Sequence, residues 1–358
     1  MIESRRVQRD LVNATTVASS VAALALAFVV ACGSSSTATP ADGDAGGPGP
    51  ISSSGGDSGG ATTDGSNGSS GGDGSTGSSG GDASTGGAHD YGQDGTSTVT
   101  TKNESASNGT TTFTVTTYLP SGTGPFPVVV LSAGLQQTAA GYAPYGKRLA
   151  SWGIAAILRS DPVFGTSTAS IQADLEGLVK TWLPTADSGV FDASKVGLAG
   201  HSRGGQVSLL AAENGLLGKN KGLFLLDPVD SSNGGASART KIAMLGVPFA
   251  TIGETTDSTG RACAPAADNY EVLYAAAASP ALAITAVGGD HVMFEDPANC
   301  TFCGLCTAGT ADASKVLATS VRLMTTFFAK QLLGDASIDA KLGTAADVAA
   351  GTLTVESK

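Results

Sequence analysis

The sequence predicts an α/β domain in which a mostly parallel central sheet carries helices on both faces. Three observations predict it. Short continuous apolar runs such as FPVVVLSAG (residues 126–134) recur along the chain, as strands buried on both faces require. Segments with apolar residues at helical spacing lie between them, and repeated strand, helix, strand units imply parallel pairing through right-handed crossovers. The third is KVGLAGHSRGGQVSLLAA (residues 195–212), where a strand turns directly into a helix at Gly200-His201-Ser202-Arg203-Gly204.

Taken in order, TTFTVTTYL (111–119) alternates as an early antiparallel strand does, and 126–134 is the first buried strand. A helix is expected over 142–152, a strand over 154–161, and a helix over about 170–183. KVGLAG is the next strand, followed by a helix over about 202–217 and the strand GLFLLD (222–227). Two further strands are expected at 247–253 and 281–289, and a final amphipathic helix at about 314–333. The roughly 260 residues from 96 to 358 suffice for one such domain.

The chain before that domain has two other characters. Residues 1–31 combine a basic start, MIESRRVQRD, with an apolar run over 17–31 that is short for a spanning helix and ends in small residues, so a signal peptide is expected. Val29-Val30-Ala31-Cys32 resembles a bacterial lipobox, with Cys32 the expected lipidation site. Residues 32–95 are Gly, Ser, Thr, Asp, Ala and Pro almost throughout and cannot bury a core, so a disordered tether is expected. Roughly 60 such residues reach about 45 Å as a random coil. The expected location is therefore exported and lipid-anchored to the cell envelope, at the outer membrane, with the domain outside the cytoplasm and membrane contact through the anchor alone. Tether aspartates account for much of the net charge of −11, and no basic patch suggests a nucleic-acid partner. A monomer is expected.

Cys263, Cys300, Cys303 and Cys306 lie in the globular part. The stretch CTFCGLC invites a metal reading, but a second C-x-x-C elsewhere in the chain is missing. Four thiols in an exported chain imply two disulfides, with three possible connectivities.

G-x-S-x-G alone identifies nothing here, because the tether matches it at 56–60, 68–72 and 77–81. Only Ser202 follows a strand and opens a helix. There a nucleophile is held in a strained turn, Gly200 and Gly204 leave room for close backbone approach, and the helix N-terminus faces a developing oxyanion. A serine needs a base. Of the three histidines, His89 lies in the tether and His201 is expected to face away from the Ser202 hydroxyl; His291, beyond the last parallel strand, is the candidate. The orienting acid is Asp227, at the end of GLFLLD, or Asp257 after the next strand, with Asp230 a further alternative. The oxyanion hole would take backbone N–H groups from Arg203 and Leu135. The Arg203 side chain is expected to pair with a local carboxylate rather than with substrate.

These residues make the sequence resemble an α/β-hydrolase of the chlorophyllase type, with cutinase-like polyester hydrolases and platelet-activating-factor acetylhydrolases as relatives. GHSRGG, LLDPVD, CAPAADNYEVLY and DHVMFED carry the resemblance over residues 126–296. It implies the α/β-hydrolase fold with a minimal lid or none, no cofactor or metal, and a triad of Ser202, Asp227 and His291. The polyester hydrolases would place the acid at Asp257, but Arg203 and Leu135 stand where they carry methionine and an aromatic residue. Ser132-Ala133-Gly134 stands where plant chlorophyllases commonly have a histidine-glycine pair, and Asp290 where a glycine usually precedes the base. The implied activity is hydrolysis of a small-molecule or lipid ester, without a chlorophyll substrate. A catalytically silent binding module and an acyltransferase using the same triad are the alternatives.

Overall fold

A computed structural model of the chain describes residues 89–358 apart from 162–164, 215, 217–219, 232–236 and 300–303. The signal, Cys32, the tether to residue 88, Cys300 and Cys303 lie outside the described residues. Strands β1 (Val99–Ser107), β2 (Thr112–Pro120), β3 (Phe126–Ser132), β4 (Ala155–Arg159), β5 (Phe191–His201), β6 (Asn220–Leu226), β7 (Phe249–Gly253), β8 (Ala281–Ala286) and β9 (Leu353–Ser357) form one sheet. Its order is β1-β2-β4-β3-β5-β6-β7-β8-β9. The six strands from β4 to β8 in that order pair in parallel, and antiparallel partners flank them at both sides.

The continuous apolar runs are explained by what covers each face. In β3, Val128 and Val130 enter one core with Leu175, Leu198 and Val207, while Val129 and Leu131 enter the other with Leu149, Phe224 and Phe328. All four β3 side chains have 0% exposure, and each contributes about 1.5–3 kcal/mol through burial. Helices α1 (Ala143–Ser151), α2 (Thr168–Gly177), α3 (Arg203–Asn214), α4 (Tyr270–Ala276), α5 (Ala313–Phe328) and α6 (Ala345–Ala349) complete the layers. In α3, Gly204 to Ala212 are all buried, and Ser208 Oγ donates to the Ala199 carbonyl at 2.8 Å, fixing the helix onto β5. The long α5 begins where Asp312 accepts the Ser314 N–H at 2.9 Å, capping otherwise unpaired donors.

Four elements depart from the sequence reading: β1, β9, α4 and the five-residue α6. β1 has the polar sequence VTTKNESAS with four consecutive exposed residues, so it lacks an apolar signature and is fixed by its pairing with β2. β9 is likewise outermost, and it is short. Short α4 interrupts a region without helical periodicity; Asn269 caps it by accepting the Glu271 N–H.

The folded part also starts before Thr96. Residues 89–95, assigned by composition to the tether, are anchored by Tyr91, which is 5% exposed and packs 4.5 Å from the Trp152 ring. The Tyr91 hydroxyl donates to Asp335 at 2.6 Å, and Arg148 Nε donates to Asp94 at 2.8 Å. One aromatic side chain inside a glycine-rich run changes the composition little and the packing decisively. Cys263 is disulfide-bonded to Cys306, one of the two bonds expected; Cys300 and Cys303 lie outside the described residues.

Candidate active site

β5 ends at His201 and α3 begins at Arg203, so Ser202 occupies the turn alone, with φ +54. A left-handed serine is strained, and its surroundings hold it there. Its N–H donates to the Leu226 carbonyl at 3.1 Å, while its own carbonyl accepts from Gly205 and Val229 at 3.0 and 3.2 Å. The two motif glycines are required by close approach: a Cβ at Gly200 would lie 2.3 Å from the Gly204 carbonyl oxygen, and one at Gly204 would lie 2.2 Å from that of Ser132. Ser202 remains partly exposed at the C-terminal end of the parallel strands.

At the ends of β6 and β8 the chain brings Asp227 and His291 together across 64 residues, with Nδ1 and Oδ2 at 2.6 Å. Asp227 is fully buried, with φ +37, and its N–H donates to the Ile252 carbonyl. His291 opens a short 3-10 turn capped by Asp290, whose Oδ1 accepts the Val292 N–H at 3.1 Å and whose Oδ2 accepts the Gly309 N–H at 2.7 Å. Burial lowers the His291 imidazolium to about 4 and raises the Asp227 carboxyl well above the ordinary carboxylate range. Burial alone would thus neutralise both. The short contact favours an ionised Asp227 accepting from Nδ1–H, since a charge-assisted bond is about twice as strong as a neutral one. That state leaves Nε2 unprotonated, as a general base requires.

The two other candidate acids are used elsewhere. Asp257 is half-buried, and its Oδ2 accepts from Asn269 Nδ2 at 3.1 Å. Asp230 is buried as a hub for the loop after β6. It accepts from Gln206 Nε2 (3.0 Å), the Ala238 N–H (2.8 Å) and Ser237 Oγ (2.6 Å). Burial opposes its ionisation, but these bonds together hold its carboxyl below the ordinary value.

Sequence reasoning missed Glu254, one residue past β7 and 2% exposed. Its Oε1 and the Oδ1 of Asp227 are both buried without a hydrogen-bond partner among the described residues. Burial, and then the Asp227 charge, push Glu254 up to about 7 from 4.5. The folded chain therefore keeps this proton over a range where the unfolded chain has released it. Its stabilising contribution is full below about pH 4.5 and is lost as pH rises through 7, a difference of about 3 kcal/mol. Glu254→Gln is expected to flatten the parent's decline in unfolding free energy between pH 4.5 and 8 by that amount; denaturant titrations at both pH values measure it, and parallel curves for parent and variant would refute it.

Facing the elbow is the loop after β3. Neither the Leu135 N–H nor the Arg203 N–H is hydrogen-bonded among the described residues, so both are available to an oxyanion. Gly134 brings this loop close: a Cβ there would lie 3.3 Å from Ser202 Cβ. Leu135 is itself 45% exposed. The Arg203 side chain turns to Asp161, donating from Nε to Oδ2 at 2.9 Å and from Nη2 to Oδ1, and from Nη1 to the Thr166 carbonyl at 3.1 Å. It pairs with a local carboxylate, as expected.

His201 has a structural part that its sequence position conceals. Its Nε2 donates to the His291 carbonyl at 2.9 Å, and its Nδ1 contacts the Tyr142 hydroxyl at 2.7 Å, which accepts the Gly134 N–H. Buried Glu295 lies 3.3 Å from Nδ1. The elbow, the loop carrying His291 and the loop after β3 are joined behind the site by one imidazole. No local pattern signals a contact that spans 90 residues. A protein-family model described as chlorophyllase matches residues 84–354, and no curated protein matches the chain.

Proposed function

Since the chain belongs to the chlorophyllase family of α/β-hydrolases, whose function is esterase-like, we propose that it hydrolyses carboxylic esters through an acyl-enzyme on Ser202. His291 Nε2 takes the Ser202 proton as Oγ attacks the ester carbonyl, and the Nδ1–H bond to Asp227 stabilises the imidazolium. The oxyanion is received by the Leu135 and Arg203 N–H groups. His291 then gives the proton to the departing alcohol, and water repeats the sequence to release the acid. Side chains, backbone donors and water supply every step.

The observations that carry this reading are the 2.6 Å His291–Asp227 contact and a serine held at φ +54 between strand and helix. A strand-to-helix turn of purely structural use has no need of a left-handed serine. Because the Arg203 fork is occupied by Asp161, this guanidinium is not the recognition group for an acidic substrate beside the nucleophile. The test is hydrolysis of short-chain and medium-chain p-nitrophenyl esters by the purified full chain beside Ser202→Ala; the chain-length preference measures the acyl pocket. Adding an alcohol acceptor and analysing products separates hydrolysis from acyl transfer.

The protein acts outside the cytoplasm in this reading, held to the envelope by lipid on Cys32. The Cys263–Cys306 bond supports an oxidising compartment. Cys32→Ala is expected to move the protein from the membrane fraction to the soluble fraction while leaving esterase activity unchanged; retention in the membrane fraction would exclude the lipid anchor.

A further inference from the structure

The buried carboxylate of Asp161 touches both sides of the oxyanion site. It stands just beyond β4, with its side chain 1% exposed. One oxygen, Oδ1, accepts the Gln136 N–H at 2.9 Å from the loop after β3 and also accepts from Arg203 Nη2. The other, Oδ2, accepts from Arg203 Nε at 2.9 Å. The Asp161 N–H returns to the same loop, donating to the Gln137 carbonyl at 2.9 Å. Gln136 sits at φ +56, a left-handed conformation that a non-glycine residue keeps only when its surroundings impose it. The two candidate oxyanion donors are the immediate neighbours of these partners: Leu135 precedes Gln136, and the Arg203 N–H belongs to the residue whose guanidinium is clamped.

We propose that Asp161 is a positioning residue that locks the two N–H arms of the oxyanion hole into one rigid unit, a role that rests on the ester-hydrolysis reading above. A hole works only if both donors lie about 2.7–3.1 Å from where the oxyanion forms, and losing one donor costs about 10²–10³-fold in turnover. The arms come from loops that are distant in sequence and share no ladder bond at this point. A bidentate fork to a carboxylate fixes direction as well as distance, which a point-charge ammonium cannot do. Burial removes the solvent screening that makes exposed pairs weak. The same contact explains why an arginine follows the nucleophile here: its charge faces Asp161, and its backbone faces the reaction.

The experiment compares Asp161→Asn, Arg203→Lys and the double variant in the full chain, with kcat expressed per active site titrated by a fluorophosphonate. The asparagine amide turns one acceptor into a donor facing donors, so Asp161→Asn is expected to lower kcat and the fluorophosphonate labelling rate of Ser202 together, by about 10²-fold, with KM within threefold of the parent. Arg203→Lys keeps the charge and loses the fork, and is expected to lose about tenfold; the double variant should fall no lower than Asp161→Asn alone. A purely structural Asp161 would reduce the titrated fraction and leave kcat per site and the labelling rate unchanged, which overturns the proposal, as does a loss carried by KM. Should Asp161→Asn fail to fold, Arg203→Lys decides by the same two rates. If Ser202→Ala is inactive while Asp161→Asn matches the parent, only the positioning role fails; if Ser202→Ala keeps parental activity, or fluorophosphonate leaves the parent unlabelled at Ser202, the serine mechanism fails and takes the positioning role with it.

Discussion

Ser202→Ala is expected to lower kcat for ester hydrolysis by at least about 10⁴-fold while the protein keeps its fold. The expectation follows from where the hydroxyl sits. Ser202 alone separates β5 from α3, its backbone is fixed by bonds to Leu226, Gly205 and Val229, and none of these involves Oγ. Removing the hydroxyl therefore leaves the elbow intact: alanine inherits the φ +54 strain that serine already bears, and the change in stability should stay within about 1 kcal/mol. The residual rate would come from substrate binding and the oxyanion donors, which do not need the nucleophile. Stopped assays on p-nitrophenyl esters, together with thermal unfolding of both proteins, separate chemistry from folding. Unchanged turnover in a folded Ser202→Ala protein would remove Ser202 from the mechanism and favour a binding role for the elbow.

Why Ser202 was visible in the sequence and Asp161 was not is a matter of range. The elbow is local: the apolar run before Ser202, the helical spacing after it and the flanking glycines all lie within residues 195–212, and each has a short-range steric cause. The parallel strands were likewise visible because both their faces are buried, which forces continuous apolar runs on β3 and β6. β1 escaped because an edge strand with one exposed face needs no such run, and its register depends on β2. Tyr91 shows the same limit at the domain boundary: its partners Trp152 and Asp335 lie far along the chain. Glu254 and Asp161 are charged residues at strand ends, a position where sequence offers either a solvated turn or a site. Burial separates the two, and burial is a tertiary property. The one available hint was topological, since groups beyond the C-terminal ends of parallel strands tend to surround a ligand site.

The orienting acid is the part of the site that sequence left divided, and its test has the second-largest expected effect. Asp227→Asn is expected to lower kcat by about 10³–10⁴-fold with little change in KM, whereas Asp257→Asn stays within about threefold of the parent. Asp227 meets His291 Nδ1 at 2.6 Å and is fully buried, so its carboxylate both selects the tautomer and bears directly on the imidazolium. An asparagine amide placed there can donate to Nδ1, which moves the ring proton to Nε2 and removes the base from the hydroxyl. Asp257 instead accepts from Asn269 in the loop that leads into α4, and it is half-exposed. Its charge reaches Asp227 through space and raises that carboxyl, so neutralising it should favour the ionised acid and leave the proton relay whole. Glu254 makes the comparison sharper. Among the described residues its Oε1 lacks a partner, as does Oδ1 of Asp227, so a lost carboxylate at 227 leaves a second acid nearby at the end of the adjacent strand. If Asp227→Asn retains substantial turnover, the double variant Asp227→Asn/Glu254→Gln shows whether Glu254 has taken over: a further collapse assigns the rescue to Glu254, and an unchanged rate removes both carboxylates from the relay. A loss confined to Asp257→Asn would instead place the acid one strand over and require the base loop to close onto it during the reaction.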